Sequence, residues 1–309
     1  MVKDQFEHFC LVNRYKPDFL PNLLQLLGEN QLIPGNRPPL IWLEANACSG
    51  DSISMLNAVD PVLGQILCRL FDVRYWSALM PDEGEKAQKQ LFQTVDDGNF
   101  IFIVEGAVAA ADGGRYTVLF KSGEYLFTSA EMVPWAAKQA QYVIAVGTCA
   151  AFGGPSAARP NPSNSKGIWE VVDRPVVNVP GCPVNPDWLI ATFVHLLLFG
   201  MPEVDRYRRP TFLFGQTIHS ICQRRSYYDA GTFAKSLGDP ECMYSLGCMG
   251  PVTGADCAYR LWNNHLNWPV KASTPCIGCT KAGFPDKSMP FDMPLSSKMP
   301  RRREEGGLI

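Results

Sequence analysis

No apolar run in this chain of 309 residues reaches membrane-spanning length. The longest, about a dozen residues around Trp188–Phe199, falls short of the roughly 18 that a bilayer span needs. A basic surplus is missing too: 28 Lys and Arg stand against 30 Asp and Glu, a formal net charge of −2. Phosphate neutralisation needs a basic surface, so nucleic acid is not an expected partner. The start, Met1-Val-Lys-Asp-Gln-Phe-Glu-His8, has no basic stretch followed by an apolar one and no nearby twin-arginine pair. No leader peptide is expected from it, and the chain reads as cytoplasmic, with peripheral attachment to a membrane left open. Disulfides are not expected in such a chain. Eleven cysteines, an odd number, point instead to metal binding or catalysis.

Core-forming residues are plentiful, at 46% hydrophobic against 19% charged, and the length suggests two domains of about 150 residues each. The halves differ: eight of 25 prolines precede Pro155 and 17 lie from there onward. In the first half, short apolar strands are expected at Leu40–Leu43, Val73–Trp76, Phe100–Val104, Tyr142–Val146 and Val176–Val179. Helices are expected at Pro61–Leu70, Ser129–Gln141 and Pro186–Phe199. Unbroken runs such as Phe100-Ile-Phe-Ile-Val104 suit strands buried on both faces. The alternation predicts an α/β fold with a mainly parallel sheet over residues 1–204. Residues 205–309 lose that rhythm. Six of the eleven cysteines fall there, among many Gly and Pro and few apolar runs. Such a segment needs staples, which metal centres would supply. The terminal Lys298–Ile309 reads as a solvated tail.

Ligands of open parallel sheets sit beyond the carboxyl ends of the strands. Cys48, Cys149 and Cys182 each follow a predicted strand, in Gly- or Pro-containing turns (Cys48-Ser-Gly-Asp51, Gly147-Thr-Cys149, Pro180-Gly-Cys182-Pro). One free cysteine is ordinarily a small buried hydrophobe; three in matching turns point to a shared ligand on one rim. Three thiolates suit a three-iron cluster, or a four-iron cluster with one more donor. Asp51, three residues after Cys48, is that donor or the N-cap of a helix over Ser52–Leu56. Spacing leaves the two readings open.

The second half carries His219 and Cys222, then Cys242, Cys248, Cys257, Cys276 and Cys279, seven soft donors within about 60 residues. Zinc also takes His and Cys in fours, but a closed zinc set leaves three cysteines over. Four plus three suits one four-iron and one three-iron cluster better.

Taken in order, these motifs resemble the small, electron-transferring subunit of nickel–iron hydrogenases, from about Leu40 to Phe284. The resemblance rests on Trp42-Leu43 with Cys48-Ser-Gly-Asp-Ser-Ile-Ser54, Val104-Glu-Gly106, Gly147-Thr-Cys149 and Pro180-Gly-Cys-Pro183. It continues in His219-Ser-Ile-Cys222 with Cys242 and Cys248, then Cys257, Trp262-Asn263, Trp268-Pro-Val270 and Pro275-Cys-Ile-Gly-Cys279. It implies a flavodoxin-like N-terminal domain and three clusters in a row. Cys48, Cys149 and Cys182 would bind the proximal cluster, four-iron with Asp51 as fourth ligand or three-iron without it. His219, Cys222, Cys242 and Cys248 would bind a distal four-iron cluster. Cys257, Cys276 and Cys279 would bind a medial three-iron cluster, with Pro269 where a fourth ligand might have been. The family usually has cysteine where this chain has Asp51. That departure favours Asp51 as the fourth proximal ligand and resembles the actinobacterial-type, high-affinity branch. Gly50 and Gly154 stand where oxygen-tolerant relatives carry extra proximal cysteines.

The nickel–iron site is expected on a separate large subunit in an obligate heterodimer, which higher assembly could extend. An acceptor protein or a quinone would take the electrons. Glu105, at a buried strand end, would orient the proximal site or relay protons, or be a hydrogen-bonded structural carboxylate. Cys68 and His195 read as packed core. Cys10, His8 and His265 match no ligand position. Two rival readings are a complex I-type iron–sulfur subunit, which would share the N-terminal domain only, and a zinc-stapled interaction subunit.

Overall fold

The computed structural model describes Leu11, residues 37–59 and 62–286, and Ser288. His8, Cys10, Pro61 and the Lys298–Ile309 tail lie outside the described residues. The chain divides into two compact units, residues 1–212 and 213–309.

The first unit is built on five parallel strands: β1 (Pro39–Glu44), β2 (Asp72–Trp76), β3 (Ile101–Glu105), β7 (Tyr142–Val146) and β9 (Val177–Val179), in the order β2-β1-β3-β7-β9. Short pairs complete the strands: β4 (Val108–Ala109) with β8 (Ser165–Lys166), and a hairpin of β5 (Val118–Ser122) and β6 (Tyr125–Thr128). All five residues of β3 are buried, as an apolar run with helices over both faces requires. The chain leaves β1 for β2 on one side and returns to β3 on the other. This is the flavodoxin-like switch point, and it opens between β1 and β3 at their carboxyl ends.

Helices α1 (Gly50–Met55), α2 (Leu63–Arg69), α3 (Gly84–Asp97), α4 (Ser129–Gln139), α5 (Gly147–Phe152) and α6 (Pro186–Phe199) connect the strands. The bounds expected for α6 are those observed. Asn185 caps it by accepting from the Asp187 N–H at 3.0 Å, and Pro186 supplies a preset first turn. Helix α4 stops two residues earlier than expected, because the Gln141 N–H turns to the Phe100 carbonyl at 2.7 Å. The sequence reading missed α3 and the β5–β6 hairpin. Helix α3 is marked by Ala87, Leu91, Thr94 and Val95, one buried stripe on an otherwise polar helix. The hairpin has mostly exposed residues, so it lacks the strong alternation that marks a half-buried strand.

Ile41, Leu43, Phe102, Val104, Val143 and Ala145 of the sheet, with Phe100 just before β3, pack with Leu91 and Val95 of α3 and Met132 and Val133 of α4. Residues 205–212 stay with the sheet because the edge strand holds them. Asn178 of β9 donates its backbone N–H to the Arg208 carbonyl at 2.9 Å and its amide to the Tyr207 carbonyl at 2.8 Å. No described helix is long and apolar enough to cross a membrane.

The second unit has no sheet among its described residues. It is made of short helical turns, among them α8 (Arg225–Asp229) and α9 (Cys257–Arg260), with α7 (Thr211–Phe214) at its entry. Its small apolar cluster is Ala234, Met243 and Leu246, with Cys248 against it.

Candidate metal centres

The turns that follow β1, β7 and β9 are fastened to one another. Thr148 donates its N–H to the Gly181 carbonyl at 2.7 Å, and Gly181 returns its N–H to the Thr148 hydroxyl at 3.0 Å. This pair ties the Cys149 turn to the Cys182 turn. Ser54 of α1 donates to the Val184 carbonyl, and the Val184 N–H donates to Asp51 Oδ1, both at 2.6 Å. Asp51 is therefore not the helix N-cap: Ser49 holds that place in left-handed backbone, and Asp51 sits in the first turn with its carboxylate reaching across to the Cys182 turn. The aspartate-as-cap reading is corrected on this geometry.

Close approach explains the glycines. At Gly147, whose φ is +78°, a methyl group would overlap the Asp51 carboxylate; at Gly50 and Gly154 it would stand 3.0 Å from the sulfurs of Cys48 and Cys149. Cys48 and Cys182 are exposed at this rim and Cys149 is half-buried. Burial pushes the Cys149 thiol up, opposed by Ser156 hydrogen bonds and reinforced by the charges of Asp51 and Cys48. Asp51 is pushed up to about 8, mainly by burial and next by the Glu105 charge, with the Val184 N–H opposing. These charge interactions draw Cys48, Asp51 and Cys149 into one electrostatic group.

Glu105 closes the site from below. Its Oε1 accepts from the Asp51 N–H at 2.9 Å. Its Oε2 accepts from Trp42 Nε1 at 3.0 Å, the Ser52 N–H at 3.1 Å and the Ser52 hydroxyl at 2.6 Å. Trp76 Nε1 donates to the same hydroxyl at 3.0 Å, and the Trp42 and Trp76 rings stack 4.0 Å apart. Burial pushes the Glu105 carboxyl up and these donors pull it back. The carboxylate anchors the first turn of α1. Sequence reading singled out Glu105 but not Ser52 or Trp76, whose role appears only when β2 and α1 meet.

The second unit gathers two further sets. His219 lies within a 3-10 turn, Ile218–Ile221, that Cys222 ends and Thr217 caps, the Thr217 hydroxyl oxygen accepting from the Ser220 N–H at 3.2 Å. Cys242 and Cys248 bracket another turn, closed by Gly247 in left-handed backbone. All four line one cavity, with Ile218, Met243, Gly250 and Val270 as its apolar walls. Burial pushes the thiols of Cys222, Cys242 and Cys248 up, and Cys222 and Cys242 add to the effect on their neighbours. Burial and the Arg225 charge hold the His219 imidazole below its usual range, which favours the neutral ring a metal needs. The Arg224 N–H points at Cys222 Sγ from 3.4 Å. The buried Arg224 guanidinium spans to the carbonyls of Asp239 and Glu241 and to the Ser273 hydroxyl, each at 2.7 Å. A fully engaged arginine is indistinguishable in sequence from its exposed neighbour Arg225.

Cys257 opens α9, while Cys276 and Cys279 lie in the turn around Gly278, whose φ is +78°. Cys257 and Cys276 are buried, and burial holds both thiols far up; Cys257 also feels the charge of Cys279, and Cys276 that of Cys248 first and then Cys279. Trp262 Nε1 donates to Cys257 Sγ at 3.5 Å. Arg260, 1% exposed, forms a two-point ion pair with Asp256 beside Cys257. His195 is packed instead: its Nδ1 pairs with the Gly200 carbonyl and its ring stacks on Phe212. His265 pairs with the Arg260 carbonyl. Cys68 lies on α2, with its side chain outside the described residues.

Among the described residues no three His, Cys, Asp or Glu side chains converge tightly enough to hold a single ion. The soft donors suit iron–sulfur chemistry.

Comparison with known proteins agrees. Residues 214–292 match the family of C-terminal regions of the NiFe/NiFeSe hydrogenase small subunit, and residues 48–196 match NADH ubiquinone oxidoreductase, 20 Kd subunit. The periplasmic [NiFeSe] hydrogenase small subunit of Desulfomicrobium baculatum is 38% identical over 82% of this chain and 87% of its own length. The quinone-reactive Ni/Fe-hydrogenase small chain of Wolinella succinogenes is 35% identical over 85% of this chain and 76% of its own. Among solved structures, the reduced, active Ni-Fe-Se hydrogenase of Desulfomicrobium baculatum superposes with a TM-score of 0.79 at 37% identity, covering 84% of this chain and 100% of that one. The actinobacterial-type NiFe-hydrogenase of Ralstonia eutropha H16 superposes with a TM-score of 0.77 at 28% identity, covering 86% of this chain and 85% of that one. A complex I-type reading accounts for the N-terminal match and leaves the C-terminal one unexplained. Because both segments lie in one polypeptide and its relatives follow it through each, the chain belongs to the small-subunit family of nickel–iron hydrogenases.

Proposed function

We propose that this chain is the electron-relay subunit of a hydrogen-oxidising enzyme, carrying electrons from a nickel–iron site on a partner large subunit to an external acceptor protein or quinone. Cys48, Asp51, Cys149 and Cys182 hold a proximal four-iron cluster; Cys257, Cys276 and Cys279 hold a medial three-iron cluster; His219, Cys222, Cys242 and Cys248 hold a distal four-iron cluster. The bound clusters supply one-electron carriers, and the chain sets their potentials through ligand type, burial and hydrogen bonds to sulfur. The observation that supports this reading is that His219, Cys222, Cys242 and Cys248 line one cavity, while Cys48, Cys149 and Cys182 stand in the turns beyond three strands of one sheet. The exposed thiols of Cys48 and Cys182, beside Ile53 and Leu56 at 58% and 59% exposure on and just after α1, support a large-subunit interface over the proximal site.

The test is elemental analysis of the anaerobically purified complex. About eleven irons per small subunit with matching sulfide, and nickel in the larger chain, is the expected result. Zinc in place of iron overturns the proposal and leaves a zinc-stapled binding subunit.

Two substitutions probe individual centres. Asp51→Cys is expected to keep the fold and replaces an oxygen ligand by sulfur; the electron paramagnetic resonance signature of the proximal cluster changes, and an unchanged signature removes Asp51 from the ligand set. Trp262→Phe deletes the N–H donor to Cys257 Sγ. A donor to sulfur favours the more negative, reduced cluster, so its loss lowers the medial potential. A hydrogen bond of about 1 kcal/mol corresponds to a drop on the order of 40 mV in redox titration.

A further inference from the structure

The His219 imidazole meets one aromatic ring edge-to-face: Tyr228 of α8, with ring centroids 4.4 Å apart and planes at 80°. Tyr228 is absent from the wall of the cavity that His219 lines with Cys222, Cys242 and Cys248. Tyr228 is itself held by Tyr244 at 5.4 Å and Phe233 at 5.8 Å, both near-perpendicular, and by the Arg225 guanidinium 5.7 Å from its ring centroid. Tyr244 lies between Cys242 and Cys248, and Phe233 bridges to Cys242. One ring thus links the segment bearing the histidine to the segment bearing two of the cysteines.

We propose that Tyr228 is a positioning residue that fixes the ring plane of His219 for ligation of the distal cluster. The inference rests on reading His219 as a distal ligand. Ligating histidines are ordinarily oriented by a hydrogen-bonded carboxylate or carbonyl behind the ring. Here an aromatic ring lies edge-to-face against the imidazole and limits it by contact. The ring, not the hydroxyl, does the holding, so phenylalanine replaces tyrosine without loss.

The test uses the assembled two-subunit enzyme labelled with nitrogen-15 histidine. Pulsed electron paramagnetic resonance reads the nitrogen coupling to the reduced distal cluster, and a chelator time course reads iron loss. In Tyr228→Phe both match the unsubstituted complex. In Tyr228→Leu the coupling shifts and broadens, and distal iron is lost about 10–100-fold faster, the usual effect of removing an outer-shell partner. Phe233→Leu, which loosens the same cage without touching His219, leaves the coupling in place. An unshifted coupling in Tyr228→Leu overturns the proposal, as does an equal shift in Phe233→Leu. Where the leucine variant does not assemble, Tyr228→Met takes its place with the same expectations. Absence of any histidine coupling in the unsubstituted complex overturns the ligand reading itself, and Tyr228's role with it.

Discussion

Stripping iron from the complex with a chelator should unfold the second unit and leave the parallel sheet standing. The reason is the unequal cores. Among the described residues the cluster around the sheet contains nineteen buried apolar side chains, while that of the second unit contains Ala234, Met243 and Leu246. Ordering each residue costs about 1–2 kcal/mol of backbone entropy. Short turns without a sheet, whose buried apolar side chains such as Ile218, Met243, Trp268 and Val270 are scattered among them, offset little of that, so cluster binding is folding free energy for residues 213–286. Acid should hasten the loss. Burial pushes the thiols of Cys222, Cys242, Cys248, Cys257 and Cys276 up, so protons compete with iron for these sulfurs, and the competition strengthens as pH falls. Hydrogen exchange read by mass spectrometry checks the unfolding. Amides of β1, β3 and β7 should keep their protection after chelation, while those around Cys222, Cys242, Cys257 and Cys276 should exchange at rates near those of an open chain. Undiminished protection in the second unit would mean that it folds on packing alone.

Glu105→Ala should be the most damaging single substitution in the first unit. The carboxylate is 1% exposed and accepts from four donors: Trp42 Nε1, the Asp51 and Ser52 N–H groups and the Ser52 hydroxyl. Each orphaned buried donor costs about 1–3 kcal/mol; allowing for the hydroxyl's freedom to rotate, the sum is of order 3–5 kcal/mol. For a unit of this size that lowers the melting midpoint by about 10 °C. Glu105→Gln keeps one acceptor oxygen but turns an NH2 group toward donors, so it should fall between. Thermal unfolding followed by circular dichroism gives the ranking. The same variants free the first turn of α1, so the proximal signature should broaden in step with the loss of stability. A melting midpoint within a degree of the unsubstituted protein in Glu105→Ala would refute the anchoring role.

Asp51 shows the limit of reading by spacing. Three residues after Cys48, an aspartate serves a helix cap and a ligand equally well. What removes the cap reading is tertiary: Ser49 takes the cap position, and the Val184 N–H donates to Asp51 Oδ1 from another strand's turn. Neither contact has a local signal. Glu105 has the opposite character. Its place at the end of an unbroken apolar strand already marked it as buried, but its four donors come from β1 and α1, more than fifty residues earlier in the chain.

By itself the sequence determined the alternation of strand and helix, the bounds of α6, the rim position of Cys48, Cys149 and Cys182, and the count of soft donors. Those features are local: apolar periodicity, Pro and Asn at helix starts, and Gly beside Cys are set by neighbours a few residues apart. Tertiary structure alone decided how the donors group and what holds them. The four donors at His219, Cys222, Cys242 and Cys248 meet in one cavity because turns from two segments close around it. Arg224, Ser52, Trp76 and Tyr228 acquire their roles only there. A hydrogen bond or ring contact between residues far apart in the chain leaves no periodic trace, so geometry reveals it and sequence pattern does not.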